Sequence, residues 1–241
     1  MMDQKLIDAF WARKAELESL SAEALLGEVL RHFGVGAVQA NSLGAEDVVI
    51  THILSKIDPK FSSFTLDTGR LNPETYELMD RLMQKYGLDL EVLFPEAAEV
   101  EAMVRAKGIN LFYESLENRK LCCEIRKLKS LARVLLRHST WICGLRREQS
   151  ATRVAVEKIE IDVAHGGLLK INPLADWTRD QVWDFIKVNG IPYNRLHDQG
   201  FVSIGCASCT RAIRSGEPER AGRWWWEDPD TKECGLHPVK K

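Results

Sequence analysis

Two pairs of cysteines, far apart in the chain, constrain its fold more than any other feature. Cys122 and Cys123 are adjacent within Leu121-Cys122-Cys123-Glu124-Ile125-Arg126-Lys127, and Cys206 and Cys209 form a Cys-x-x-Cys pair much later. Thiolates at this density suit zinc or an iron–sulfur cluster, and either would require the two stretches to meet in space. Plain burial is the alternative, because free cysteine is among the most buried residue types. Adjacent cysteines are unusual for zinc, whose structural sites draw on Cys-x(2–4)-Cys pairs. A 4Fe–4S cube offers ligand positions on separate irons and tolerates such crowding better. The pattern predicts a helix that begins at Cys123, with Arg126 and Lys127 one turn along it. Those cations would offset thiolate charge or hold an anion; a solvated basic face is the other reading.

With 241 residues the chain can bury a sizeable core as one domain. Its 45% hydrophobic and 28% charged content is that of an ordinary soluble globular protein. A formal net charge of -2 gives no support for nucleic-acid or membrane-surface binding. The start, Met1-Met2-Asp3-Gln4-Lys5, lacks the apolar segment of an export signal, and no apolar run reaches membrane-spanning length. The expected compartment is therefore the cytoplasm. There, six cysteines point to metal or redox chemistry rather than to a disulfide framework.

Along the chain, residues 3–33 read as two amphipathic helices, with Leu6, Ile7, Phe10 and Trp11 on one face and Leu25, Leu26, Val29 and Leu30 on the next. A short buried strand at 37–40 runs into Asn41-Ser42-Leu43-Gly44-Ala45-Glu46-Asp47 and then a helix. Strand, small-residue turn and helix N-terminus make a natural anion site, although an ordinary capped turn has the same pattern. A second strand at 62–66 delivers Asp67-Thr68-Gly69-Arg70 before a helix opened by Asn72-Pro73-Glu74, read as an N-cap with proline in the first turn. Residues 88–93 form a third strand, 97–107 a helix, 108–118 an irregular link, 123–138 a long helix and 140–143 a fourth strand. A hairpin over 159–171 turns at His165-Gly166-Gly167, and Thr178 caps a helix over 179–189.

Strands alternating with helices imply a parallel, doubly wound α/β sheet whose ligands sit beyond the carboxyl ends of the strands. Ser42-Leu43-Gly44, Asp67-Thr68-Gly69 and Gly144-Leu145-Arg146-Arg147-Glu148 share that edge. Arg146 and Arg147 either bind phosphate or face solvent, and Cys143 reads as core. After 210 the chain changes character: Arg211, Arg214, Arg220 and Arg223 precede Trp224-Trp225-Trp226 and a tail, Glu233-Cys234-Gly235-Leu236-His237. The expected organisation is one α/β domain over 1–210, helical over 1–34, followed by an arginine- and tryptophan-rich segment over 211–241 whose tail is a flexible extension. Cys234 is either incidental or a mobile nucleophile that reaches the anion site.

These motifs, in this order, resemble the assimilatory sulfonucleotide reductases, and within them the bacterial adenylyl-sulfate (APS) reductases. The resemblance covers nearly all of the chain from about residue 35. It implies a layered α/β sandwich with a mostly parallel sheet, like the pyrophosphate-loop ATPases (adenine nucleotide alpha hydrolase-like). Leu43 and Val48 depart from the ATPase pattern Ser-Gly-Gly-x-Asp-Ser, which argues against ATP cleavage and for holding a nucleotide already activated. The resemblance implies a 4Fe–4S cluster on Cys122, Cys123, Cys206 and Cys209, one per subunit, and Cys234 as nucleophile. It also implies sulfate-contacting cations at Lys127, Arg220 and Arg223, thioredoxin (or glutaredoxin) as reductant, and a homo-oligomer. Ser42, Gly44, Asp67, Thr68 and Arg147 are the expected nucleotide contacts. His237 either orders the tail or is a surface histidine, and the tryptophan run is expected to pack the base of the tail against the core. The expected reaction is reduction of adenylyl sulfate to sulfite and AMP. Its competitors are the same chemistry on 3′-phosphoadenylyl sulfate (PAPS), or a non-reductase nucleotide-binding protein with structural zinc.

Overall fold

The structure, a computed structural model, describes residues 3–228 together with 232, 235 and 236. Six strands, β1 (Ala37–Ala40), β2 (Ser62–Leu66), β3 (Leu90–Leu93), β4 (Thr140–Ile142), β5 (Ile159–Asp162) and β6 (Leu168–Ile171), form one sheet in the order β3-β2-β1-β4-β6-β5. Every neighbouring pair is parallel except β5 with β6, the expected hairpin.

Residues one apart along a strand enter different cores, as the period of two requires. Trp141 and Leu168 pack on one face with Leu131, Val134 and Leu135; Ile142 and Leu169 pack on the other. The first face is covered by α8 (Lys129–Leu135). The second is covered by α3 (Ala22–Phe33), α4 (Ala45–Ile57), α5 (Pro73–Tyr86) and α9 (Arg179–Val188). Buried parallel strands between helical layers give the expected sandwich.

The N-terminal region departs from two helices. α1 (Gln4–Trp11) and a short α2 (Lys14–Leu17) precede α3, with Asp3 and Ser21 accepting capping bonds from amides of α1 and α3. Trp11, expected on the buried face, is exposed. Asn72 precedes α5 without a side-chain capping bond; its amide instead donates to the Gly205 carbonyl at 3.3 Å. α6 (Ala97–Lys107) has the expected bounds.

A larger correction concerns the helix expected to start at Cys123. It starts at Leu116, where Ser115 accepts a bond from the Asn118 amide, and α7 (Leu116–Cys123) places both cysteines in its last turn. Residues Glu124–Leu128 continue as a π-helical stretch before α8. Such an insertion rotates the register of α8 relative to α7, and π-segments concentrate at functional sites.

After β6 the chain returns over the carboxyl edge of the sheet. Residues 211–228, the arginine- and tryptophan-rich segment, are tied to the body, and most of the tail expected to be flexible lies outside the described residues. Thr210 and Arg223 form a β-bridge, the Trp224 amide donates to the Cys209 carbonyl, and Arg119 pairs with Glu227 at 2.8 Å. Trp224 is buried beside the four cysteines, as expected for a run that packs the base of the tail.

Candidate active site

β1 leads to β2 on one side and is flanked by β4 on the other, so the connections diverge at the carboxyl ends of β1 and β4. A crevice is expected at such a switch point, and a cavity of about 240 Å³ opens there. Its floor is the turn between β1 and α4. Asn41 shapes that turn, its side-chain Oδ1 accepting the Leu43 amide at 2.9 Å while Leu43 adopts a left-handed φ of 63°. The Ser42 amide and hydroxyl both donate to Asp47 Oδ2, at 2.7 and 2.5 Å. Burial pushes the Asp47 carboxyl up to about 6, against the two Ser42 bonds that favour its charged form. Across the cavity, Gly144 follows β4; a Cβ there would lie 2.4 Å from Asp47 Oδ1, so only glycine lets the two turns meet.

The turn after β2 joins this cavity to the cysteines. Asp67 Oδ1 accepts the Gly69 amide at 2.7 Å and the Tyr76 hydroxyl at 3.0 Å, folding the turn. Thr68 then faces both ways: its Oγ1 lies 3.2 Å from Cys206 Sγ, and its carbonyl accepts from Arg126 at 2.7 Å. Cys122, Cys123, Cys206 and Cys209 are all buried, carry no disulfide, and line one small second cavity. Arg70, Arg119, Arg126 and Lys127 line it too. Lys127 and Cys206 belong to both cavities.

Burial raises the Cys122 thiol, and pushes Cys209 up to about 12. Cys206 is burial-disfavoured as well, yet Lys127, the Thr68 hydroxyl, Arg223 and Arg126 together bring it below the ordinary thiol range. Four buried thiols under four cations are a donor set that fits a thiolate-bound cluster, whose negative charge needs such neighbours. Among the described residues, no three His, Cys, Asp or Glu side chains gather closely enough to hold a single metal ion.

Of the residues expected at the site, Ser42, Gly44, Thr68, Lys127, Arg220 and Arg223 line the larger cavity. Asp67 and Arg147 do not line it: Asp67 is spent on its own turn, and Arg147 Nε donates to the Val156 carbonyl at 2.8 Å. Cys234 and His237 lie outside the described residues, but Lys232, Gly235 and Leu236 do not. The Lys232 carbonyl accepts from Arg220 at 3.0 Å, and Leu236 lines the cavity while packing with the core on the α8 face.

Three further arginines stand in the cavity wall, and two of them, Arg153 and Arg179, are not marked by any sequence motif. Arg146, which the sequence leaves undecided, is buried between Glu46 at 2.7 Å and Glu219 at 3.2 Å, and so fixes the β4 loop to α4 and to the 211–228 segment. Arg153 and Arg179 also reach the wall. The available signal was position alone: both follow the carboxyl end of a strand on the switch-point side.

The family model described as "Phosphoadenosine phosphosulfate reductase domain" matches residues 36–212. The chain belongs to that family. The chain is similar to the adenosine 5′-phosphosulfate reductase of Allochromatium vinosum, 50% identical over 217 residues, spanning 90% of this chain and 84% of the relative. The protein of the same name from Burkholderia cepacia is 52% identical over 199 residues, with 82% of this chain and 79% of that one covered. Among solved structures, phosphoadenylyl-sulfate reductase from Candida auris, as a phosphate complex, superposes with a TM-score of 0.72 at 27% identity. The match covers 88% of this chain and 98% of that one. The family match begins just before β1 and ends beyond Cys209, so both cavities are built almost wholly from family residues.

Proposed function

We propose that this chain reduces adenylyl sulfate to sulfite and AMP, using a dithiol protein as electron donor. The observation that carries the reading is the cavity at the switch point, which Lys127, Arg220 and Arg223 line together with Leu236 of the tail, with Arg220 bonded to the Lys232 carbonyl. Relatives half identical to this chain carry the name of that activity. A phosphoadenylyl-sulfate reductase is similar at lower identity, which favours the nucleotide without the 3′-phosphate.

In the proposed reaction, the Cys234 thiolate attacks the sulfur of the sulfuryl group. The sulfur–oxygen bond to the phosphate breaks and AMP leaves, its phosphate oxygen taking the electron pair. An anionic nucleophile approaches a dianionic substrate slowly unless cations screen the charge, which is the work given to Lys127, Arg220 and Arg223. Arginine grips sulfate oxygens in pairs. The cavity walls from Leu131, Trp141 and Leu236 limit water at the reacting sulfur. Cys234 then carries a thiosulfonate. A thiolate of the donor attacks Cys234 Sγ, sulfite leaves with the electron pair of the sulfur–sulfur bond, and the donor's second thiol closes its own disulfide and frees Cys234. The dithiol thereby supplies both electrons.

Cys122, Cys123, Cys206 and Cys209 would hold a 4Fe–4S cluster, which when bound would supply structural order and a fixed charge linked to the substrate through Lys127. Thioredoxin is the proposed donor, with glutaredoxin as the variant of the same chemistry, and the reducing cytoplasm is the proposed compartment. Among the described residues no helix is long and apolar enough to cross a membrane. A homo-oligomer is part of the proposal.

Sulfite release by anaerobically purified protein with reduced thioredoxin tests the reading, with the two nucleotides side by side. Faster turnover of adenylyl sulfate is expected. Preference for the 3′-phosphorylated nucleotide would overturn the substrate assignment, and no sulfite from either, with iron and sulfide bound, would overturn the reductase. Zinc without labile sulfide would remove the cluster.

A further inference from the structure

Trp224 is one of two non-glycine residues with positive φ among those described, at 40°. A bulky side chain in that region is strained and persists only where its surroundings hold it. Here two guanidiniums lie over its ring: Arg119 at 4.6 Å and Arg223 at 4.7 Å from the centroid. They come from different cavities, since Arg119 lines the cysteine cavity and Arg223 the nucleotide cavity. Arg119 is tied down by its ion pair to Glu227. Arg223 is held from another side by Gly205, where a Cβ would fall 2.5 Å from Nη2 and 2.7 Å from Cζ. Its Nη1 donates to the Ser203 hydroxyl at 3.3 Å and the Ile204 carbonyl at 3.2 Å, while its buried Nε has no partner among the described residues.

From this geometry we propose that Trp224 and Gly205 form a clamp that sets the Arg223 guanidinium at a fixed angle toward the sulfuryl group, making both of them positioning residues for substrate. The proposal rests on the reading of the chain as a sulfonucleotide reductase. An arginine side chain in a cavity ordinarily samples many rotamers, and ordering it on substrate binding costs affinity. Stacking on an aromatic face and against a bare backbone removes that freedom beforehand. The strained backbone of Trp224 is what folds its ring back over the residue that immediately precedes it. The guanidinium is thereby held ready for an oxyanion, and it acts on the sulfuryl group rather than on the adenosine.

The test is calorimetric binding of adenylyl sulfate and of AMP to the full chain, loaded with its metal, in a Cys234→Ser background so that no transfer occurs. Trp224→Leu keeps apolar bulk and loses the ring face; Gly205→Ala displaces the guanidinium from the opposite constraint. Both should bind adenylyl sulfate roughly tenfold more weakly while AMP binding holds. Trp224→Leu also lowers the thermal midpoint because Trp224 is buried, so the readout is the ratio of the two affinities at a temperature where each variant is folded. Trp224→Phe, which restores a ring, should recover part of the loss. Equal losses for both nucleotides, or unchanged adenylyl sulfate binding in Gly205→Ala and Trp224→Phe alike, would overturn the clamp. If the parent binds adenylyl sulfate no more tightly than AMP, the functional reading itself falls, and the clamp with it.

Discussion

Asp47 carries a conflict that the rest of the site resolves. It is buried, it organises the first turn of α4 through Ser42, and it lies against Gly144 beneath the nucleotide cavity. Its carboxyl titrates near 3.8 when free and at about 6 in the folded chain, with burial the leading cause. The folded state therefore binds this proton more tightly than the unfolded state, and stability falls as pH rises from near the free value through about 6. Asp47→Asn keeps an acceptor for Ser42 and removes the charge. Its stability relative to the unaltered chain should thus increase by about 3 kcal/mol between acid and neutral pH, read as the difference in denaturant midpoints across that range. A pH-independent difference would show that the carboxylate is not destabilised by burial. The sequence places Asp47 in the turn after the first strand but does not show that its carboxyl is buried and organises that turn.

At the scale of elements, the turns after β1, β2 and β4 meet because small residues stand where backbone and side chain approach. Gly144→Ala should cost about 1–3 kcal/mol, since its Cβ would lie 2.4 Å from Asp47 Oδ1 and 2.8 Å from Glu46 Cβ. Weaker nucleotide binding should accompany that loss in thermal melts and titrations; an unchanged melting point would mean that the turns move apart freely. These turns are legible in the sequence because glycine and alternating hydrophobics mark strand ends strongly. The helix carrying Cys122 and Cys123 is not. Residues 108–118 hold Gly108 and polar side chains that read as an irregular link, whereas Ser115 caps a helix within them. A π-helical stretch leaves no mark on apolar spacing that separates it from an α-helix. Arg147 and Asp67 are expected as nucleotide contacts because they stand in motifs at strand ends; a one-residue difference in a turn sends a side chain elsewhere, and Arg146 lines the cavity where Arg147 does not.

For the molecule as a whole, the sheet divides the labour. One face packs the larger core against α3, α4, α5 and α9; the other packs a smaller core to which Leu236 of the tail adds itself. Cys122, Cys123, Cys206 and Cys209 sit in a third cluster, off the sheet, with Trp224 at their side, while Cys143 is part of the smaller core, as read from the sequence. The mostly parallel sheet, the meeting of the two cysteine pairs and the packing of the tryptophan run are legible from pattern; the strand order is not, and only the structure gives it. Arg153 and Arg179 of the cavity are not legible either, because charged residues at loop positions have no period. The tail's neighbours stand against the cavity, and the central claim is that Cys234 takes the sulfur. The measurement that decides it is transfer of radiolabelled sulfur from adenylyl sulfate to the protein in the absence of reductant, with peptide mapping of the product. The label should reside on Cys234, be absent from Cys234→Ser, and leave as sulfite when reduced thioredoxin is added. Label retained in Cys234→Ser, or mapped to another residue, would contradict the mechanism.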